Sequence, residues 1–214
     1  MKGKKIFYIA LFFSLIVILY GCNEKNNRAY LEDRIGTQIS RVYPTKNLED
    51  LFEQFPNGFT IYQSYQLSDK FIDIVLDGVE KGKPIEGTIK VINRDSGAEE
   101  KKIAVTYDKG KFSYDNKEEA RKLWPKEKFL FQEMTLNKEI LSKFKLKDTY
   151  YNGNNGSFEI EYVVKNEQIN EFLGLENKQQ VKLGFHGSNA NRGYYYTLSV
   201  ELDKNFKFRE RIEE

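Results

Sequence analysis

Residues 158 to 164 read F-E-I-E-Y-V-V. In an extended chain successive side chains point to opposite faces. Phe158, Ile160, Tyr162 and Val164 therefore share one face, and Glu159 and Glu161 the other. One apolar face and one charged face mark a half-buried strand, the pattern of an antiparallel sheet with one wet side. The pattern recurs. Val181, Leu183 and Phe185 alternate with Lys182, Gly184 and His186. Tyr194, Tyr196, Leu198, Val200 and Leu202 alternate with Tyr195, Thr197, Ser199, Glu201 and Asp203. Between these two strands lies G-S-N-A-N-R-G, residues 187–193, a hairpin loop by its composition.

Upstream, residues 59–65, 71–76, 87–92 and 103–107 are short and rich in β-branched and aromatic side chains. Glycine-containing or charged turns separate them, D-G-V-E-K-G-K-P, N-R-D-S-G and D-K-G-K. A hairpin is expected around Asp95-Ser96-Gly97. Asn152-Gly153-Asn154-Asn155-Gly156 is a turn.

Three short helices are expected. Asn47 precedes L-E-D-L-F-E-Q-F, in which Leu48, Leu51, Phe52 and Phe55 form one apolar stripe, and Pro56-Asn57-Gly58 stops it. Asn137 caps a helix through about Phe144, with Leu136 and Leu141 placed as a hydrophobic staple. Asn166 caps a helix through Leu173, closed by Gly174. Trp124-Pro125 reads as an extended connection, since the residue before proline avoids helical backbone. The expected fold class is α+β: an antiparallel sheet built of hairpins with short amphipathic helices packed on one face.

The chain opens M-K-G-K-K, followed by IFYIALFFSLIVIL at residues 6–19 without a charge. As a helix this run is about 21 Å long, short of the roughly 30 Å of a bilayer core. It suits the apolar region of a secretory signal behind a basic start. Leu19-Tyr20-Gly21-Cys22 then resembles a bacterial lipobox, with an aliphatic residue three before the cysteine and a small one directly before it. The resemblance implies diacylglyceryl transfer to the thiol of Cys22 and cleavage between Gly21 and Cys22. N-acylation of the new terminus remains open. Several acyl chains on one residue hold a domain at a membrane without a spanning helix. Residues 1–21 are thus read as signal peptide, residues 22–42 as lipidated terminus and tether with a short helix near its end, and residues 43–214 as one domain.

Removal of the signal takes Lys+Arg from 34 to 31 against 32 Asp+Glu, so the mature chain is near neutral. No dense basic stripe with interleaved aromatics points to nucleic acid. Cys22 is the one cysteine, so no internal disulfide is available. His186 is the one histidine. A Ser-His-acid site would need Ser188 or another serine and an orienting acid, and an exposed histidine at a strand end is the plainer reading. One histidine and one lipidated cysteine cannot supply a zinc set. Asp73 with Asp77, and Glu159 with Glu161, are paired by strand alternation alone. No cofactor is expected beyond the covalent lipid. Tyr195, facing outward from the Tyr194–Tyr196 run, is a candidate partner contact.

Y-P-T-K-N-L-E-D-L-F-E-Q followed by G-F-T-I-Y, residues 43–62, resembles the N-terminal signature of the staphylococcal tandem-type lipoproteins. F-E-I-E-Y-V-V-K-N-E and G-Y-Y-Y-T-L-S-V-E-L-D are similar to the C-terminal half of that family. The chain is shorter than typical members, mainly in its middle. The resemblance implies a lipid-anchored protein on the extracytoplasmic face of the cell membrane, without enzymatic activity, linked to host-cell entry and to immune sensing of its lipid. Its implied partners are the membrane, lipoprotein-processing enzymes and a host-cell surface protein. The alternative is a ligand-binding lipoprotein of an uptake system, and an enzyme is the third class.

Overall fold

The structure, a computed structural model, describes residues 25–188 and 196–214. Ten antiparallel strands form one open sheet. The first five are β1 (Phe59–Gln66), β2 (Lys70–Gly78), β3 (Ile85–Asn93), β4 (Glu99–Asp108) and β5 (Lys111–Tyr114). The second five are β6 (Lys145–Tyr151), β7 (Phe158–Val164), β8 (Val181–Gly187), β9 (Tyr196–Glu201) and β10 (Lys207–Glu213). The order across the sheet is β5-β4-β3-β2-β1-β10-β9-β8-β7-β6. Each half is a meander of sequence neighbours, and the seam between the halves joins the first strand to the last.

Local chemistry explains the turns. β4 and β5 meet through Lys109 and Gly110, both at positive φ (50° and 77°), the two-residue hairpin geometry that matches strand twist. At the expected hairpin, Asn93 Oδ1 accepts from the N–H groups of Asp95 and Ser96, and Gly97 takes φ 69°.

The alternation read in β7 holds. Phe158, Ile160, Tyr162 and Val164 are buried, as are Val181, Leu183 and Phe185 in β8. At the seam the pattern changes. Gln63 of β1 lies opposite Glu210 of β10, and both are buried on the same face as Ile61, Ile212 and Phe208.

The helical segments are α1 (Arg28–Ile39), a 3₁₀ turn (Leu48–Glu53), α2 (Lys117–Leu123), α3 (Leu130–Glu133), α4 (Lys138–Lys143) and α5 (Glu167–Leu173). α4 and α5 start as the sequence predicts. Asn137 Oδ1 accepts from Ile140 N–H and Asn166 Oδ1 from Ile169 N–H, each at 2.9 Å. Gly174 closes α5 at φ 69°. Trp124, at φ −131° and ψ 70°, lies outside helical backbone and ends α2.

Two expectations need correction. Asn47 makes no capping bond, and the segment after it is 3₁₀ rather than α. Its side-chain amide donates instead to Asp50, although the apolar stripe Leu48, Leu51, Phe52 and Phe55 is buried as read. The stretch assigned to a tether, residues 22–42, contains α1 from Arg28 onward, with Leu31, Ile35 and Ile39 in the core. Arg28 reaches Glu32 at 2.7 Å and donates to the carbonyls of Leu141, Ser142 and Phe144, which lie at the end of α4. The polar look of this stretch came from its outer face.

Candidate functional site

Strand parity sorts the second face of the sheet. In register across the seam stand Tyr62 with Arg211 and Ser64 with Arg209. Next to them come Thr197 opposite Arg211, Ser199 opposite Arg209 and Glu201 opposite Lys207. Beyond these lie His186 opposite Thr197, Gly184 opposite Ser199, and Glu159 opposite His186. Every one of these residues points away from the buried face, and together they are a polar patch five strands wide.

A cleft of about 340 Å³ opens in this patch, lined by Tyr62, Ser64, His186, Thr197, Lys207, Arg209 and Arg211, with Glu210, its side chain turned to the buried face, also at its floor. His186 holds its inner wall. Its Nε2 lies 3.0 Å from Ser199 Oγ, and its Nδ1 lies 3.3 Å from Glu159 Oε1. A side chain at Gly184 would stop this: a Cβ there would meet Ser199 Oγ at 2.7 Å and His186 Nε2 at 3.1 Å. The glycine is what lets the imidazole lie across β8 to reach β9.

Burial lowers the His186 pKa below 6.5, and the Lys207 and Arg209 charges push the same way; Glu159 and Glu161 oppose them. The ring is therefore neutral at pH 7. Its Nδ1–H donates to Glu159, and Nε2 accepts from the Ser199 hydroxyl.

The bond order Ser199–His186–Glu159 matches that of a nucleophile, base and acid. The surroundings do not complete such a site. Ser199 is 4% exposed and lies beneath the imidazole. β9 is an interior strand, so its N–H groups face the ladders of β8 and β10 rather than a substrate. Within β9 no pair of backbone donors is left for an oxyanion. What the triple does is fix one tautomer and one ring orientation at the cleft wall.

Cations line the opposite wall. Lys207 pairs with Glu201, and Arg211 lies 3.2 Å from Glu213 with its guanidinium 4.3 Å from the centre of the Tyr62 ring. Between them in the row, Arg209 is exposed and has no ion pair among the described residues.

Compared with known proteins, the chain matches no family model and no curated sequence.

The residues singled out in the sequence fall as follows. Gly21 and Cys22, and Tyr194 and Tyr195, lie outside the described residues. Tyr196 sits on the buried side, its ring 5.6 Å from that of Phe158. His186 is less isolated than a strand-end reading suggests, and its serine is Ser199 rather than Ser188. Ser188 Oγ is 3.5 Å from the Asn155 carbonyl. Asp73 accepts from Ser64 at 2.5 Å and Asp77 from Thr60 at 2.7 Å. Glu161 pairs with Lys147. Arg209 and Arg211 were missed because β10 was missed. The signal was present: Lys207, Arg209 and Arg211 alternate with Phe208, Glu210 and Ile212. A glutamate at an inward position hid the strand. Among the described residues no group of three or more His, Cys, Asp or Glu is placed to hold a metal ion.

Proposed function

We propose that the chain is a lipid-anchored lipoprotein of the extracytoplasmic membrane face, non-enzymatic, which uses its polar sheet face to contact host or envelope components. The observation that carries this reading is the N-terminal sequence: three lysines in the first five residues, an uncharged run at 6–19, and Leu19-Tyr20-Gly21-Cys22. Resemblance to the staphylococcal tandem-type lipoproteins points the same way, and it rests on the residues quoted for it. No helix among the described residues is long and apolar enough to cross a membrane. Only four residues separate Cys22 from Asn27, the N-cap of α1, a span of five peptide links. That reach is at most about 18 Å. The domain is then held close to the headgroups rather than on a long stalk.

The helical segments serve as the cover of the apolar sheet face, leaving the polar face for contact. Three links support this arrangement. Tyr43, before the 3₁₀ turn, donates to Glu210 of β10. Trp124, at the end of α2, donates to Gln63 of β1. Leu48 N–H donates to the Tyr107 hydroxyl of β4.

Fractionation of cells carrying the parent chain or Cys22→Ala, with acyl-chain labelling, tests the reading. The parent is expected in the membrane and labelled; the variant is expected unlabelled and released. Host-cell association that is equal for both, with the variant released, would refute anchored display. The cleft favours a second reading, a ligand-binding lipoprotein of an uptake system, and a saturable thermal shift with a small molecule would raise it above the first.

A further inference from the structure

We infer that the cleft on the polar sheet face is an oxyanion site, taking a phosphate or carboxylate group between Arg209, Arg211 and the His186 wall. The inference rests on reading the polar face as the contact surface; it does not need the lipid anchor.

The charge pattern along β10 carries the argument. Lys207, Arg209 and Arg211 stand two residues apart on one face, so neighbouring cations are about 7 Å from each other at the backbone. The outer two have acids beside them, Glu201 and Glu213. The middle one does not. Its cross-strand neighbours are Ser64 and Ser199, neither of which carries charge. The other acids of the patch are engaged: Glu159 with His186, Glu161 with Lys147, and Asp73 with Ser64. A row of three like charges is unfavourable unless something offsets its centre. The cleft opens over that centre, with Arg209, Arg211 and the Thr197 hydroxyl around it.

The chemistry of those groups selects the ligand. A guanidinium presents a planar fork of N–H donors that matches two oxygens of one carboxylate or phosphate. Arg211 is steadied by its place over the Tyr62 ring, so part of the ordering cost is met before binding. His186 adds a reporter and a second donor. Glu159 and Glu161 from β7 and Lys207 and Arg209 from β10 face it. An anion beside the ring favours the imidazolium, so binding raises the His186 midpoint and is tighter below that midpoint than above it.

His186 is the chain's one histidine, which gives a clean readout. The full chain in detergent, with ¹³C-labelled histidine, is titrated with inorganic phosphate, with acetate, and with vesicles of phosphatidylglycerol or phosphatidylcholine. Expected is a saturable shift of the imidazole resonance and a raised midpoint with at least one anionic probe, and none with phosphatidylcholine. Phosphate or acetate alone indicates a soluble ligand, and phosphatidylglycerol alone a headgroup. Arg209→Ala is expected to weaken that binding tenfold or more, and Arg209→Lys to recover part of it. Lys204→Ala, exposed and outside the cleft, leaves it unchanged. No saturable shift with any anion, or a shift that Arg209→Ala leaves intact, overturns the site. Neither result depends on where the Cys22→Ala chain fractionates, so failure of the anchor and failure of the site are separable.

Discussion

Glu210 is a carboxyl group with no solvent and four donors. Tyr43 Oη and Phe131 N–H donate to its Oε1 at 2.6 and 2.9 Å, and Gln63 Nε2 and Leu130 N–H to its Oε2 at 2.9 and 2.7 Å. Gln63 in turn accepts from the indole of Trp124 at 3.0 Å. Burial pushes the Glu210 pKa up to about 7, against the pull of the donors. The folded state then holds a proton that the unfolded state has released between about pH 4.5 and 7. Stability from this group is complete below that window and is lost as the pH rises through about 7. Glu210→Gln replaces a carboxyl oxygen, which still accepts when protonated, by an NH₂ that cannot accept, and should cost about 2 kcal/mol or more at pH 5. Urea melts across the window should also show a flatter pH dependence for the variant; an unchanged pH profile would remove Glu210 from the account. At the cleft, Glu159 raises the His186 pKa while burial lowers it. Glu159→Gln should therefore move the imidazole midpoint further below 6.5, read by NMR of the single histidine, and a midpoint that stays or rises would contradict the contact.

Single elements show why some of the fold was legible and some was not. α5 could be read in full because its start and stop are local. Asn166 caps Ile169 N–H, and Gly174 takes the left-handed turn that other residues resist. Asn166→Ala should cost about 1 kcal/mol in urea unfolding. Asn47 looks the same in sequence but caps no backbone group, so Asn47→Ala should cost clearly less. Equal losses would mean that the cap is not what Asn166 contributes. β7, β8 and β9 were legible because apolar and polar residues alternate along them, with Val163 the main departure in β7. β10 was not, because Glu210 sits where that rule demands an apolar residue, and only the donors from Tyr43, Gln63, Leu130 and Phe131 make it tolerable there. Those donors come from segments up to 167 positions away, and no window along the chain contains them. A short helix was expected near the end of the tether, but the packing of α1 into the core was hidden for a related reason. Glu32 is buried in it, matched by Arg28 of the same helix and by the Tyr162 hydroxyl of β7 at 3.1 Å. The cleft was half legible: His186 could be named, but its serine, its acid and its arginines became neighbours only through register.

At the scale of the whole molecule, the last strand lies in the middle of the sheet. β10 pairs with β1 on one side and β9 on the other, so the two meanders join through the first and last strands of the sheet. The seam also carries Gln63 and Glu210, and a one-residue slip would turn Arg209 and Arg211 into the core. Removing β10 therefore does more than shorten an edge. It strips Phe208 and Ile212 from the core, leaves β1 and β9 each with an unpaired ladder, and orphans the donors gathered on Glu210. A chain ending at Asp203 should lose its cooperative thermal transition and aggregate through the two open edges. Loss of Glu214 alone removes only a 3.4 Å exposed contact from Asn57 and should leave the melting curve unchanged. Circular dichroism melts of the two truncations decide it. Cooperative melting of the chain ending at Asp203 would mean that the five strands of the N-terminal meander stand without the seam. The polar face would then lose its reason for being assembled by the last strand of the chain.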